Sequence, residues 1–139
     1  MNIELRTELD EALRVSHEDP SQANFFYDAF LNAPLFFPAL RADKRPGEWE
    51  RLSTETRFFP LYLKLGEARV IPVFDRLERL KHWAQDKAFD YLELPGNVLI
   101  RVIAPEIALV LNEGTPHRYL FIPDILEKLR TAMRPVDPH

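Results

Sequence analysis

The residues of this 139-residue chain whose types and spacing could do chemistry are few: four histidines, at 17, 82, 117 and 139, and a polar turn from Asn112 to Tyr119. Glu78 and His82 stand one helical turn apart and could hold a metal between them, but two ligands from one turn need a third from elsewhere. A solvent-facing pair is expected, and no metal site. Asp75 and Glu78 have the spacing of an acid–base pair, yet the same spacing is that of residues capping the start of a helix, which is the reading expected here. Ser16, Ser21 and Ser53 lie in no nucleophile-elbow context. The four glycines, at 47, 66, 96 and 114, form neither GxGxxG nor GxxxxGK, so nucleotide binding by those loops is excluded. The chain has no cysteine, which removes thiolate catalysis, disulfides and cysteine-type zinc sites. No catalytic set and no cofactor is expected, and the chain reads as a protein that is not an enzyme.

The turn is the best candidate site. Asn112, Gly114, Thr115, His117, Arg118 and Tyr119 follow an apolar run, and in α/β sheets ligands bind beyond the carboxyl ends of strands. Arg118 would be the anion contact of a small-molecule site. The same residues also describe an ordinary turn, because Asn and Gly accept positive φ and Pro116 stiffens the chain. A second candidate is Trp49, in an irregular loop over residues 41 to 54, where it either folds back on the core or meets a partner.

Several elements must position these groups. Residues 3 to 17 carry Leu5, Leu9, Ala12 and Leu13 at helical spacing. A second helix starts at Asp19 and Pro20, with Gln22 as a capping partner and Ala23, Phe26, Tyr27, Phe30 and Leu31 as its apolar stripe; with the first it makes an N-terminal helical hairpin. Leu35 to Leu40 reads as a strand near an edge or bulge, because Pro38 cannot donate to a ladder. Residues 57 to 65 and 68 to 74 pair through Gly66. Asp75 then caps a helix that buries Leu77, Leu80, Trp83 and Ala84. Phe89 to Leu94 alternates as a strand, and a short helix after Pro95 and Gly96 buries Val98, Leu99, Val102 and Ile103. Ile107 to Leu111 is continuously apolar, as in a strand covered on both faces, and is placed at the sheet's centre. A last helix near residues 123 to 133 precedes a flexible tail from about 134. The sum is an α/β (α+β) fold: one domain over 1–139, with a single mixed sheet of about five strands and helices packed on it.

Composition narrows the partners. Eighteen basic and 22 acidic residues are mixed along the chain, with a net charge of −4, so no surface is expected that could neutralise a run of phosphates. Charges punctuate every apolar segment, so no membrane span is expected. The charged N-terminus does not resemble a secretory signal, and the expected location is the cytoplasm.

Three stretches, VIPVFDRLERLKHWA, IALVLNEGTP and FIPDILEKL, resemble the SseB N-terminal domain family of bacteria. Phe74, Asp75, Leu77, Glu78, Arg79, Leu80 and Trp83 match its helix after the hairpin. Leu109 to Leu111, Asn112, Gly114, Pro116 and the helix from Pro123 match its later strand, loop and terminal helix. Where that family often has a proline after the asparagine and a lysine or glycine region before the last helix, this chain has Glu113 and His117-Arg118-Tyr119. The resemblance implies a scaffold without an enzymatic activity to transfer, in a family whose annotations mention serine sensitivity and type III secretion. The expectation is a bacterial protein-interaction domain that binds another protein or its own copy. The alternatives are a small-molecule or anion sensor or enzyme using the 112–119 loop, and an immunity or chaperone-like protein beside a toxin or secretion system.

Overall fold

The computed structural model describes residues 7–41, 58–85 and 90–133. Trp49 and the rest of the 42–54 stretch, Leu5, Phe89 and the tail from 134 lie outside them.

Thr7 stands at the head of the first described helix. Its side chain accepts from the Asp10 backbone N–H while the Asp10 carboxylate accepts from the Thr7 N–H, a reciprocal capping box that starts α1 (Glu8–Glu18). Leu9, Ala12 and Leu13 are its buried stripe. Asp19 does act as a cap, accepting from the Ser21 N–H, but the element it caps is a single 3-10 turn, Pro20–Gln22, which runs into α2 (Ala23–Asn32). Phe26 and Phe30 are fully buried on α2. They stack on Phe121, with ring centroids 5.7 and 4.1 Å away.

Among the described residues two sheets are present where one of about five strands was expected. β1 (Pro34–Arg41), β2 (Phe58–Pro60) and β5 (Asp90–Pro95) form one, in the order β2-β1-β5; β3 (Leu63–Leu65), β4 (Ala68–Val73), β6 (Ala108–Leu111) and β7 (Tyr119–Phe121) form the other, in the order β3-β4-β6-β7. β4 and β6 are parallel and the remaining pairs antiparallel.

The division has a local cause. Phe36 of β1 exchanges two backbone hydrogen bonds with Phe74, at 2.7 and 2.8 Å, which is the one bridge joining the sheets among the described residues. Continuing that register by two residues would set Pro38 opposite Pro72, and neither has an N–H to give. The ladder stops, and the Pro38 carbonyl instead accepts from the Leu61 N–H of the β2 side at 3.2 Å. β1 is therefore central in its sheet rather than near an edge: Pro38 marks where one of its sides passes from one neighbour to the next. The strand expected over 57 to 65 changes partner at the same corner, pairing first with β1 as β2 and then with β4 as β3. Leu65 and Ala68 flank the two-residue turn, with Gly66 at φ +62°.

Leu109 and Leu111 of β6 join the main core beneath α1, α2 and α5 (Pro123–Met133), while Ala108 and Val110 are buried on the other face with Val70. That is the doubly covered central strand its composition implies. α4 (Gly96–Val102) differs from expectation in its buried face. Leu99 and Ile100 are inside, while Val98 and Val102 are exposed, Val102 at 66%. Gly96 causes this. A Cβ there would lie 2.2 Å from the Phe30 carbonyl oxygen of α2, so the helix start must face α2. Positions three and four residues on then share that face.

Candidate functional site

β4 and β6 run parallel and end together, and the end they share is where an α/β sheet ordinarily receives a ligand. Here it is filled by the chain's own charges. α3 (Leu77–Ala84) begins after Arg76 with no side-chain cap, so Asp75 is not the helix cap its position implied. Its carboxylate has stronger partners: Thr7 Oγ1 donates to Asp75 Oδ2 at 2.5 Å and Arg79 Nη1 donates to Asp75 Oδ1 at 2.8 Å. The same guanidinium grips Asp10 with two bonds, at 2.8 and 2.6 Å. All three side chains are at most 4% exposed.

A planar guanidinium with two parallel N–H bonds to one carboxylate is the strong form of this contact. It joins α1, which contributes Asp10, to α3, which contributes Arg79. Burial pushes the Asp10 carboxyl up, but the Arg79 guanidinium, the Thr7 N–H and the nearby His117 outweigh it and hold the group below its ordinary value.

The Asn112 loop closes over this node. Asn112 is fully buried at φ +54°; its Oδ1 accepts from the Asp75 N–H at 3.3 Å, and its N–H donates to the Val73 carbonyl at 2.7 Å. Thr115 donates to the Asn112 carbonyl through both its N–H and its Oγ1, and that Oγ1 accepts from the His117 N–H at 3.0 Å. His117 brings Nε2 to 3.7 Å from Asp10 Oδ2. Gly114, at φ +83°, makes the turn.

Thus Asn112, Thr115 and His117 do come together, bonded to one another and to the node, while the buried Asn112 Nδ2 has no hydrogen-bond partner among the described residues. Arg118 points away to Glu113, with Nε 2.5 Å from its carboxylate. Tyr119 is in β7 rather than the loop, with its ring edge-on to Phe26 at 4.9 Å and its hydroxyl 3.3 Å from that of Tyr27. Burial and that hydroxyl push its ionisation up to about 12. Glu78 and His82 both face solvent, as their spacing implied.

Two members of the node, Thr7 and Asp10, were not singled out by sequence reasoning, and Arg79 was named only as part of the family's helix. Two signals were available. Thr7-x-x-Asp10 is a capping-box pattern ahead of an apolar stripe, and Asp75 and Arg79 have opposite charges four residues apart.

Beside the node the surface opens. Thr7 and Asp75 form one side of a groove of about 620 Å³ that runs along the outer face of α2. Phe25 lines it and is 57% exposed. Among the described residues no helix is long and apolar enough to cross a membrane.

No match is found among curated proteins or among solved structures. Residues 9–128 match the SseB protein N-terminal domain, a span reaching from α1 through the node and both sheets into α5. The chain belongs to the SseB N-terminal domain family.

Proposed function

We propose that this chain is a non-enzymatic protein-interaction domain working in the cytoplasm, and that its working surface is the groove along α2 rather than the Asn112 loop. The observation that carries the reading is the contrast between the two. In the loop, the side chains of Thr115 and Arg118 bind within the loop itself, and Asn112 and His117 turn to the node beneath it. Along α2, Phe25 stands more than half exposed at the edge of an open cavity. Large aromatics at the rim of an apolar cleft are the usual anchors of protein contacts. An immunity or chaperone-like role is one form such an interaction could take.

The test is a cross-linked pull-down from native bacterial extract with the wild-type chain and Phe25→Asp in parallel, alongside sedimentation over a wide concentration range. The expected result is a partner, or a self-associated form, that the wild type gives and Phe25→Asp loses while its thermal melt is unchanged. Identical recovery by both forms would move the interaction off this face. No recovery with monomeric behaviour throughout would sink the reading. A metabolite sensor is the second reading, since Arg118 is partly exposed at the loop surface. It requires an anion to displace Glu113, and a saturable thermal shift lost in Arg118→Ala would favour it.

A further inference from the structure

The walls and rim of the α2 groove differ in kind, and the difference specifies an occupant. Leu9, Phe25, Ala29 and Pro34 supply apolar wall. Among the described residues that line it, the charged ones are Glu8, Asp28 and Asp75. Asp75 is already held by Arg79 and Thr7. Glu8 and Asp28 are exposed, and they place negative charge on the rim beside an apolar slot.

We infer that the groove receives a peptide segment of a partner protein in which an apolar side chain is flanked by lysine or arginine. This rests on the interaction reading above and adds the chemistry of the partner to it. The apolar side chain lies against Phe25 and Ala29. The basic neighbours face Glu8 and Asp28, where their long methylene stems also cover the apolar wall. An acidic segment meets like charge at the same rim and is rejected. Charge complementarity of this kind acts mainly on partner choice and on association rate, so binding weakens as salt rises.

The experiment selects phage-displayed random twelve-residue peptides on the immobilised wild-type chain, then measures synthetic fluorescein-labelled copies of the enriched sequences by anisotropy. Supporting results are enrichment of an apolar residue with Lys or Arg within two positions and loss of binding in Phe25→Asp. A weakening of about fivefold in the double variant Glu8→Gln, Asp28→Asn is also expected. All three substitutions are at exposed positions, so a thermal melt matching the wild type confirms that the fold survives. Enriched peptides that are neutral or acidic, yet still lost in Phe25→Asp, overturn the charge assignment while leaving the interaction reading standing. Peptides that bind Phe25→Asp as well as wild type overturn the groove as the site. A selection that enriches nothing overturns the inference for linear segments of any charge, and the pull-down decides the interaction reading separately.

Discussion

Replacing Arg79 with methionine keeps most of the side-chain volume and removes the charge that two buried carboxylates share. Asp10 and Asp75 would be left with side chains 0% and 3% exposed and no guanidinium. Breaking a buried pair from one side costs about 3–5 kcal/mol, because the remaining charge is uncompensated. With roughly 3 °C of melting temperature per kcal/mol for a chain of this size, a fall of about 10–15 °C at pH 7 is expected. The pH dependence is the sharper part. In the wild type the Asp10 carboxyl lies below its ordinary value of 3.8, so its contribution is fully present above that value and is lost as pH falls through the lower folded one. In Arg79→Met the balance reverses: burial acts unopposed by Arg79, the folded value rises above the ordinary one, and the variant gains stability as pH drops from neutral toward 3.8. The two curves must therefore converge on acidification. Urea denaturation at pH 7, 6, 5 and 4 measures the difference directly. A deficit that stays constant across that range, or that is under about 1 kcal/mol at pH 7, would refute the assignment of Arg79 as the charge holding the node together.

Gly96→Ala should cost about 1–3 kcal/mol by overpacking, since its Cβ would stand 2.2 Å from a backbone oxygen of α2. Gly66→Ala meets open space and should cost only the positive-φ penalty of about 1 kcal/mol; chemical denaturation of both variants gives the order, and equal losses would count against the close approach of α4 to α2. Thr7→Ala removes a cap and a hydroxyl bond to Asp75, with an expected loss of about 1–2 kcal/mol, read as a shift of urea midpoint at unchanged slope. On the alkaline side, Tyr119 binds its proton more tightly folded than unfolded. Stability should then fall between pH 10 and about 12, and Tyr27→Phe should move the phenolate absorbance step of Tyr119 downward.

What was legible in the chain was what local chemistry decides. Pro123 opens a helix that ends at Met133, within the span its apolar spacing marked out. Ile107 to Leu111 reads as a doubly covered strand because every residue in it is apolar. Gly66 sets its hairpin because no other residue type accepts that φ as readily. The rest depended on contacts distant in sequence. Pro38 announces a missing donor, but not that Pro72 would stand across from it, and the splitting of the sheet needs both. The buried face of α4 is rotated by about one residue from the pattern of its apolar residues, because a backbone approach to Phe30 overrides side-chain hydrophobicity. Asp75 carries two local meanings, helix cap and partner of Arg79 one turn on. The choice between them is made by Asp10 and Thr7, more than sixty residues away.

That choice also bears on function. Thr7 and Asp75 belong at once to the node and to the wall of the groove, so the charge arrangement that ties α1 to α3 also sets the shape of the groove's inner side. A carboxylate free to turn outward would add a third acidic group to the rim and enlarge the opening. Held by Arg79 and the Thr7 hydroxyl, it presents a closed, neutralised floor, and the selectivity of the groove falls to Glu8 and Asp28. Conservative loosening of the node should therefore alter binding before it unfolds the protein. Thr7→Ser keeps a hydroxyl able to cap α1 and to reach Asp75, and should retain both stability and peptide affinity. Thr7→Val, matched in shape but without the hydroxyl, should lose the Asp75 contact. In that variant affinity for a Lys- or Arg-flanked peptide should change by more than the melting temperature predicts. If both variants bind as the wild type does, the node is a structural clamp alone, and the groove owes its shape to the packing of α1 on α2.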